Sequence, residues 1–181
     1  MRVIAGKLKG HQLVAFSADH IRPTTDRVKQ SIFNKVAAHV EGGRVLDLYS
    51  GTGSLAIEAF SQGALAVTAV ESNAKSVRII RENLRKLKIE KEIQVFPIDV
   101  FKYLSRFDGE AFDLVLIDPP FTQKLAHDTL LALAPSKALK QGSVVVIEAS
   151  SHERVEDSYL PLQLIDRRDY GDKKVSFFAC P

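Results

Sequence analysis

The sequence predicts an α/β protein with a mostly parallel sheet of seven strands, one of them antiparallel near the C-terminus, and a small N-terminal β-hairpin and helix. Two observations support this class: strand-like and helix-like segments alternate from residue 44 onward, and a glycine loop follows the first strand. Such alternation forms right-handed βαβ units with parallel strands. With 181 residues, the chain is long enough for one domain with a small addition.

Short apolar runs predict the strands, at residues 44–50, 66–71, 93–98, 112–117, 143–149, 163–170 and 174–180. Apolar residues at helical spacing predict helices at residues 54–62, 74–88, 100–107 and 125–139. The pattern differs before residue 44, where residues 2–5 and 12–16 predict a hairpin and residues 25–40 a helix. We therefore expect two parts, an extension of residues 1–43 and a main domain of residues 44–181.

Composition excludes several classes of protein. The apolar runs are far shorter than the roughly 18 residues of a membrane span, and the N-terminus lacks the apolar core of a signal peptide, so we expect a cytoplasmic protein. The single cysteine, Cys180, excludes a disulfide framework and a multi-cysteine metal site. The five histidines show no ligand spacing, and we expect no bound metal.

The formal charge of +3 is distributed unevenly. Residues 1–44 hold eight Lys or Arg against three acidic residues, whereas the rest of the chain holds 17 against 19. A basic segment of this kind indicates a polyanionic partner.

A glycine loop joins the first strand to the first helix of the main domain. Gly51 and Gly53 let the chain turn sharply and bring backbone N–H groups close to a ligand at a helix N-terminus. Glu71 ends the second strand, where a carboxylate can accept both hydroxyls of a ribose. A loop of this kind fits either a dinucleotide, which carries a pyrophosphate, or a nucleoside cofactor with a methionine moiety. Asp47 favours the second class, because a carboxylate attracts the amino group of methionine and gains nothing from an anionic pyrophosphate. The alternative is a tight turn in which Asp47 only caps N–H groups.

This loop resembles the S-adenosylmethionine site of Rossmann-like class I methyltransferases. The resemblance implies S-adenosylmethionine as the cofactor, bound by Asp47, Tyr49, Gly51, Gly53, Glu71 and Asp99. Asp99 ends the third strand, and it either bonds the adenine amine or caps the following helix.

The tetrapeptide Asp118-Pro119-Pro120-Phe121 follows the fourth strand, and the strand ends of such a sheet carry the ligands. The two prolines stiffen the backbone and remove two N–H donors. The Asp118 carboxylate and the Pro119 carbonyl can then accept hydrogen bonds from one NH₂ group, while Phe121 offers a face for a planar base. These four residues predict methyl transfer to an exocyclic or amide nitrogen.

Two strings near the N-terminus, residues 2–10 and 22–34, resemble the opening of the bacterial 16S rRNA guanine-N2 methyltransferase family, D type. That resemblance covers essentially the whole chain. It implies methylation of guanine N2 in the 16S rRNA of assembled or partly assembled small ribosomal subunits, by a monomer. The RNA contacts expected in the basic extension are Lys7, Lys9, Arg22 and Arg27, although Arg22 could instead reach the methionine carboxylate of the donor. Two alternatives are a DNA adenine-N6 methyltransferase and a catalytically silent RNA-binding assembly factor.

Overall fold

One sheet of eight strands organises the computed structural model, which describes residues 1–15, 26–120 and 125–181. The strands are β1 (Arg44–Leu48), β2 (Ala66–Val70), β3 (Ile93–Phe96), β4 (Leu114–Ile117), β5 (Val144–Ser150), β6 (Ser158–Tyr159), β7 (Leu162–Tyr170) and β8 (Lys173–Ala179). The helices are α1 (Asp26–Val40), α2 (Ser54–Ser61), α3 (Ala74–Leu87), α4 (Val100–Arg106) and α5 (Ala126–Leu133). Among the described residues, no helix is long and apolar enough to cross a membrane.

The spatial order of the strands is β3-β2-β1-β4-β5-β8-β7-β6. Strands β1 to β5 pair in parallel, and the pairs β5–β8, β8–β7 and β7–β6 are antiparallel. The predicted class is therefore confirmed, but the sheet has eight strands and not seven. The additional strand, β6, has two residues, too few to show an alternating pattern.

Two apolar cores lie on opposite faces of the sheet. On one face, helices α1, α2 and α3 pack against strand residues such as Val45 and Leu114. On the other face, α4 and α5 pack against their neighbours Leu46 and Val115. Successive strand residues point to opposite faces, so strands covered on both sides are apolar throughout.

Three predicted elements differ in the structure. The expected hairpin is reduced to a single antiparallel bridge between Arg2 and Gln12, with a 3₁₀ turn at Gly6–Leu8 between them. The second expected strand runs into residues 16–25, which lie outside the described residues. Helix α5 ends at Leu133 and not at residue 139, because Pro135 lacks the N–H that would continue the helix.

Candidate active site

The candidate site lies at the carboxyl ends of β1 and β4, which are neighbours in the sheet. From β1 the chain continues to β2 and β3 on one side of the sheet, and it then crosses to β4 and β5 on the other side. Open α/β sheets bind ligands at such a switch point, which here lies between β1 and β4. Leu48 lies opposite Ile117, and the Asp118 N–H donates to the Leu48 carbonyl at 3.4 Å. The glycine loop and the Asp-Pro-Pro motif thus flank one crevice, although they are about 65 residues apart in sequence.

The glycine loop turns through three residues with positive φ. These are Tyr49 at 61°, Gly51 at 57° and Gly53 at 80°. There is also little room for a side chain at Gly53, because a Cβ there would lie 3.3 Å from a methyl group of Ile80. Its N–H donates to the Ser50 carbonyl at 2.7 Å, and α2 begins at the next residue. The close packing of α3 against the loop explains why a glycine is needed at this position.

Asp47 is buried within β1, with 1% of its surface exposed. Its Oδ2 accepts hydrogen bonds from the Ser50 hydroxyl at 2.6 Å and from the Ala56 N–H at 3.0 Å. Its Oδ1 is buried and has no hydrogen-bond partner among the residues that the structure describes. Burial raises the pKa of the carboxyl to about 7, which the Ser50 and Ala56 bonds only partly offset. The capping role and the ligand-binding role are therefore compatible, because they use different oxygens.

Glu71 follows β2 and is half-buried beside the loop. Its Oε2 accepts the Gly51 N–H at 2.8 Å, and its Oε1 accepts the Asn73 N–H at 2.7 Å. Each carboxylate oxygen keeps acceptor capacity, so the side chain can still bind hydroxyl groups. Asp99 is the N-cap of α4, where its Oδ1 accepts the Lys102 N–H at 3.0 Å. This geometry realises the capping alternative for Asp99.

The Tyr49 side chain points away from the loop towards α5. Its hydroxyl lies 2.8 Å from Thr129 Oγ1, and burial raises the pKa of the phenol. The backbone of Tyr49, by contrast, makes the left-handed turn out of β1. Such a conformation is uncommon for an aromatic residue, and the hydrogen bond to Thr129 helps to hold it.

In the Asp-Pro-Pro segment, Asp118 is half-buried, Pro119 is buried and Pro120 is exposed. Phe121, predicted to stack on the base, lies outside the described residues. After residues 121–124, which the structure does not describe, the chain continues in α5, where Glu153 Oε1 accepts the Ala126 N–H at 2.7 Å.

Three of the four basic residues predicted to contact RNA, Lys7, Lys9 and Arg27, are described, and they lie exposed on the N-terminal segment and α1. The Lys7 ammonium stands 3.5 Å from the centre of the Phe60 ring. Lys9 and Arg27 are exposed, and neither forms an ion pair with any described residue. Arg22 lies outside the described residues.

Sequence reasoning missed a buried polar network behind the loop. Lys29 and Glu58 form an ion pair at 2.9 Å with side-chain exposures of 1% and 0%, and Asn83, on α3 at the same face of the sheet, is also fully buried. One signal was present: Glu58 interrupts an otherwise apolar helix, and Asn83 shares a helix face with Ile80 and Leu87. A charged or amide group within an apolar stripe indicates a buried partner. No group of three or more His, Cys, Asp or Glu residues in the described ranges is arranged to hold a metal ion.

Comparison with known proteins gives a consistent result. The sequence profile of the family described as "Conserved hypothetical protein 95" matches residues 1–179. The Bacillus subtilis protein YlbH is 32% identical over 182 residues, which cover 98% of each chain. Ribosomal RNA small subunit methyltransferase D of Haemophilus influenzae is 32% identical over 150 residues, covering 82% of this chain and 78% of that protein.

The fold agrees with these relationships. The solved structure of yhhF from Escherichia coli superposes with a TM-score of 0.87 and 26% identity, and the match covers 99% of this chain and 97% of that one. The agreement extends over the N-terminal segment, the sheet and the antiparallel C-terminal strands. The chain therefore belongs to the D-type family of small-subunit ribosomal RNA methyltransferases that its motifs predicted.

Proposed function

We propose that this protein transfers a methyl group from S-adenosylmethionine to the exocyclic N2 of a guanine in the 16S rRNA of the small ribosomal subunit. The observation that carries the proposal is the meeting of two motifs in one crevice, with the Asp47 loop on β1 and Asp118-Pro119 on β4. The names of the relatives support an rRNA substrate. The choice of guanine N2 follows from the family resemblance of the N-terminal strings.

The residues around the loop fit the donor. The buried, unpartnered Oδ1 of Asp47 needs a cation or an N–H donor, and the amino group of the methionine moiety meets that need. Glu71 follows the neighbouring strand β2 and accepts the Gly51 N–H at 2.8 Å, so a second carboxylate lies beside the same loop, where it can accept the hydroxyls of a ribose. When bound, S-adenosylmethionine supplies a methyl group on a positively charged sulfur, so the protein needs no metal ion and no covalent nucleophile for the transfer.

Asp118 and Pro119 act on the other reactant. The N2 lone pair of guanine is delocalised into the ring, which makes the amine a poor nucleophile. Two acceptors, the Asp118 carboxylate and the Pro119 carbonyl, hold the NH₂ hydrogens and point the lone pair at the methyl group. They also stabilise the positive charge that develops on nitrogen. The N–CH₃ bond forms as the S–CH₃ bond breaks, and the nitrogen then loses a proton to water.

The N-terminal segment would hold the RNA by its phosphates. Replacing Lys9 and Arg27 with Gln should weaken binding to small subunits and flatten its salt dependence, by about 0.7 in the log–log slope for each phosphate that the protein no longer neutralises. Donor affinity should stay unchanged, because neither side chain touches the glycine loop. An unaltered salt slope would show that these two cations do not bind the rRNA.

The role of Asp118 is tested by Asp118→Ala, with donor binding measured by calorimetry and methyl transfer measured with labelled donor. We expect donor affinity to remain near wild type and transfer to fall by about a hundredfold or more, as for other electrostatic contacts to a reacting group. Wild-type turnover by this variant would refute the proposed role.

A second experiment offers small subunits, naked rRNA and duplex DNA to the protein in parallel and separates the alternatives. Only a DNA methyltransferase would label the duplex, and a silent assembly factor would label none of the three substrates.

A further inference from the structure

Asn83 connects the glycine loop to the N-terminal segment. This side chain lies on α3 and has no exposed surface. Its Nδ2 donates to the carbonyl of Thr52, the residue between the two loop glycines, at 3.0 Å. The same Nδ2 donates to the Val14 carbonyl at 3.0 Å, and Oδ1 accepts the Val14 N–H at 2.7 Å. One amide group thus uses both of its N–H donors and one acceptor site to join two segments about 40 residues apart.

The start of the chain reaches the same loop residue from a second side. The Thr52 hydroxyl donates to the sulfur of Met1 at 3.3 Å, and the Met1 carbonyl accepts the Leu13 N–H at 3.0 Å. Residues 1 and 13 to 14 therefore lie together against Thr52. Thr52, in the middle of the loop, is therefore held from α3 and from the N-terminal segment.

The first turn of α2, which follows the loop, is tied to the same segment. Lys29 Nζ donates to the Arg2 carbonyl at 2.7 Å and to the Ser54 hydroxyl at 3.3 Å, and it forms the buried ion pair with Glu58. The Glu58 carboxylate also accepts the N–H groups of Ile4 and Ala5, both at 2.9 Å. These contacts dock residues 2–5 against the helix that begins at the donor loop.

We propose that Asn83 is a positioning residue for the donor site, which holds the Gly51–Gly53 turn in its binding geometry by fixing it to the docked residues 1–15. The inference rests on the proposed function, because it takes the loop to be the donor site. Left-handed backbone is intrinsically unfavourable at Tyr49, so the surroundings of the loop must help to hold its conformation. Asn83 contributes a buried bond at the centre of that turn. The N-terminal segment is in this way a structural part of the donor site as well as a surface for RNA.

The test is Asn83→Leu, which keeps the volume of the side chain and removes all three hydrogen bonds. We expect the donor dissociation constant and the KM for the donor to rise by about tenfold or more, since buried groups lose their partners. The maximal rate at saturating donor should stay within about twofold of wild type, because Asn83 does not touch the reacting atoms. Partial loss of folding would instead lower the maximal rate and the number of binding sites and leave the KM of the folded molecules near wild type, so the split identifies positioning.

A matched control is Ser143→Ala. Ser143 is also fully buried and has two hydrogen bonds, to the Phe112 carbonyl at 2.7 Å and from the Lys140 N–H at 2.9 Å, but it precedes β5 at the opposite end of the parallel strands. Its donor affinity should equal that of wild type at a temperature where both variants are folded. If Asn83→Leu unfolds, Asn83→Ser provides the same test, with one hydroxyl to serve one of the two carbonyls and an intermediate loss of affinity.

Unchanged donor affinity in a folded Asn83 variant would overturn the inference. It would leave the proposed function intact, provided that the wild-type protein binds S-adenosylmethionine. A wild-type protein without donor affinity would instead refute the proposed function itself. The two failures are therefore distinguishable in one series of titrations.

Discussion

Asp47→Asn is the most informative change in the donor site, because it removes a buried charge without altering the size of the side chain. The amide oxygen can still accept the hydrogen bonds from Ser50 and Ala56 that Asp47 Oδ2 accepts. The substitution therefore acts at Oδ1, which has no hydrogen-bond partner in the described part of the chain and is the atom assigned to the donor's amino group. A charged partner contributes roughly 1.5–3 kcal/mol to such a bond. We therefore expect donor affinity to fall by about 10- to 150-fold at pH 7.5.

The raised pKa of Asp47 gives the same experiment a pH signature. With a pKa of about 7, the carboxyl is about one-tenth ionised at pH 6 and about half ionised at pH 7. Because the ionised form binds the donor, wild-type affinity should rise about fivefold across this interval. The Asp47→Asn variant lacks this component, and its response isolates the titration of the donor's own amino group. Equal pH responses in the two proteins would refute the assignment of Oδ1.

The free energy of unfolding should change in the opposite direction. The pKa of Asp47 is raised on folding from its usual 3.8, so between about pH 4 and pH 7 the folded state keeps a proton that the unfolded state has lost. Stability contributed by the protonated carboxyl is therefore present at low pH and is lost as the pH rises through 7. Urea titrations should show this decline in wild type, while Asp47→Asn lacks it. Identical pH profiles would contradict the burial of this charge.

Two further predictions concern the docking of the N-terminal segment. Gly6→Ala should destabilise the protein by several kcal/mol more than Gly10→Ala in urea denaturation. Both residues have positive φ, but a Cβ at Gly6 would lie 1.9 Å from a carbonyl oxygen of α2, whereas a Cβ at Gly10 meets no atom within 4 Å. Equal losses of stability in the two variants would contradict this packing. Lys29→Met should cost about 3–5 kcal/mol of unfolding free energy, since it leaves the Glu58 carboxylate buried without its cation; a loss below about 1 kcal/mol would contradict a buried pair.

The sheet and the candidate site could be predicted from sequence because their signals are local. Leu114 to Ile117 is apolar throughout, as a strand covered on both faces must be, and Gly51 and Gly53 mark a turn that other residues rarely adopt. Asp47 and Asp118 needed only the strand order of a parallel sheet to be placed in one crevice. Crossover connections keep the strands parallel, and the carboxyl ends of parallel strands lie at one edge of the sheet.

The polar network behind the loop could not be predicted in the same way, because its partners are main-chain atoms distant in sequence. Asn83 binds Val14 across 69 positions, and a carbonyl group carries no sequence signature. The hairpin expected near the N-terminus failed for a related reason. The N–H groups of Ile4 and Ala5 bind the Glu58 carboxylate, whereas the N–H of Val3 still donates to the facing His11 carbonyl, so tertiary contacts replace part of the ladder that a hairpin would form.

The central claim is that this crevice methylates guanine N2 in small-subunit rRNA, and one measurement tests it most directly. Small subunits are incubated with the protein and with S-adenosylmethionine labelled in its methyl group, and the rRNA is digested to nucleosides and separated. We predict label in N2-methylguanosine alone from the 16S rRNA, and none with Asp118→Ala. Label in another nucleoside, or equal label with Asp118→Ala, would contradict the claim.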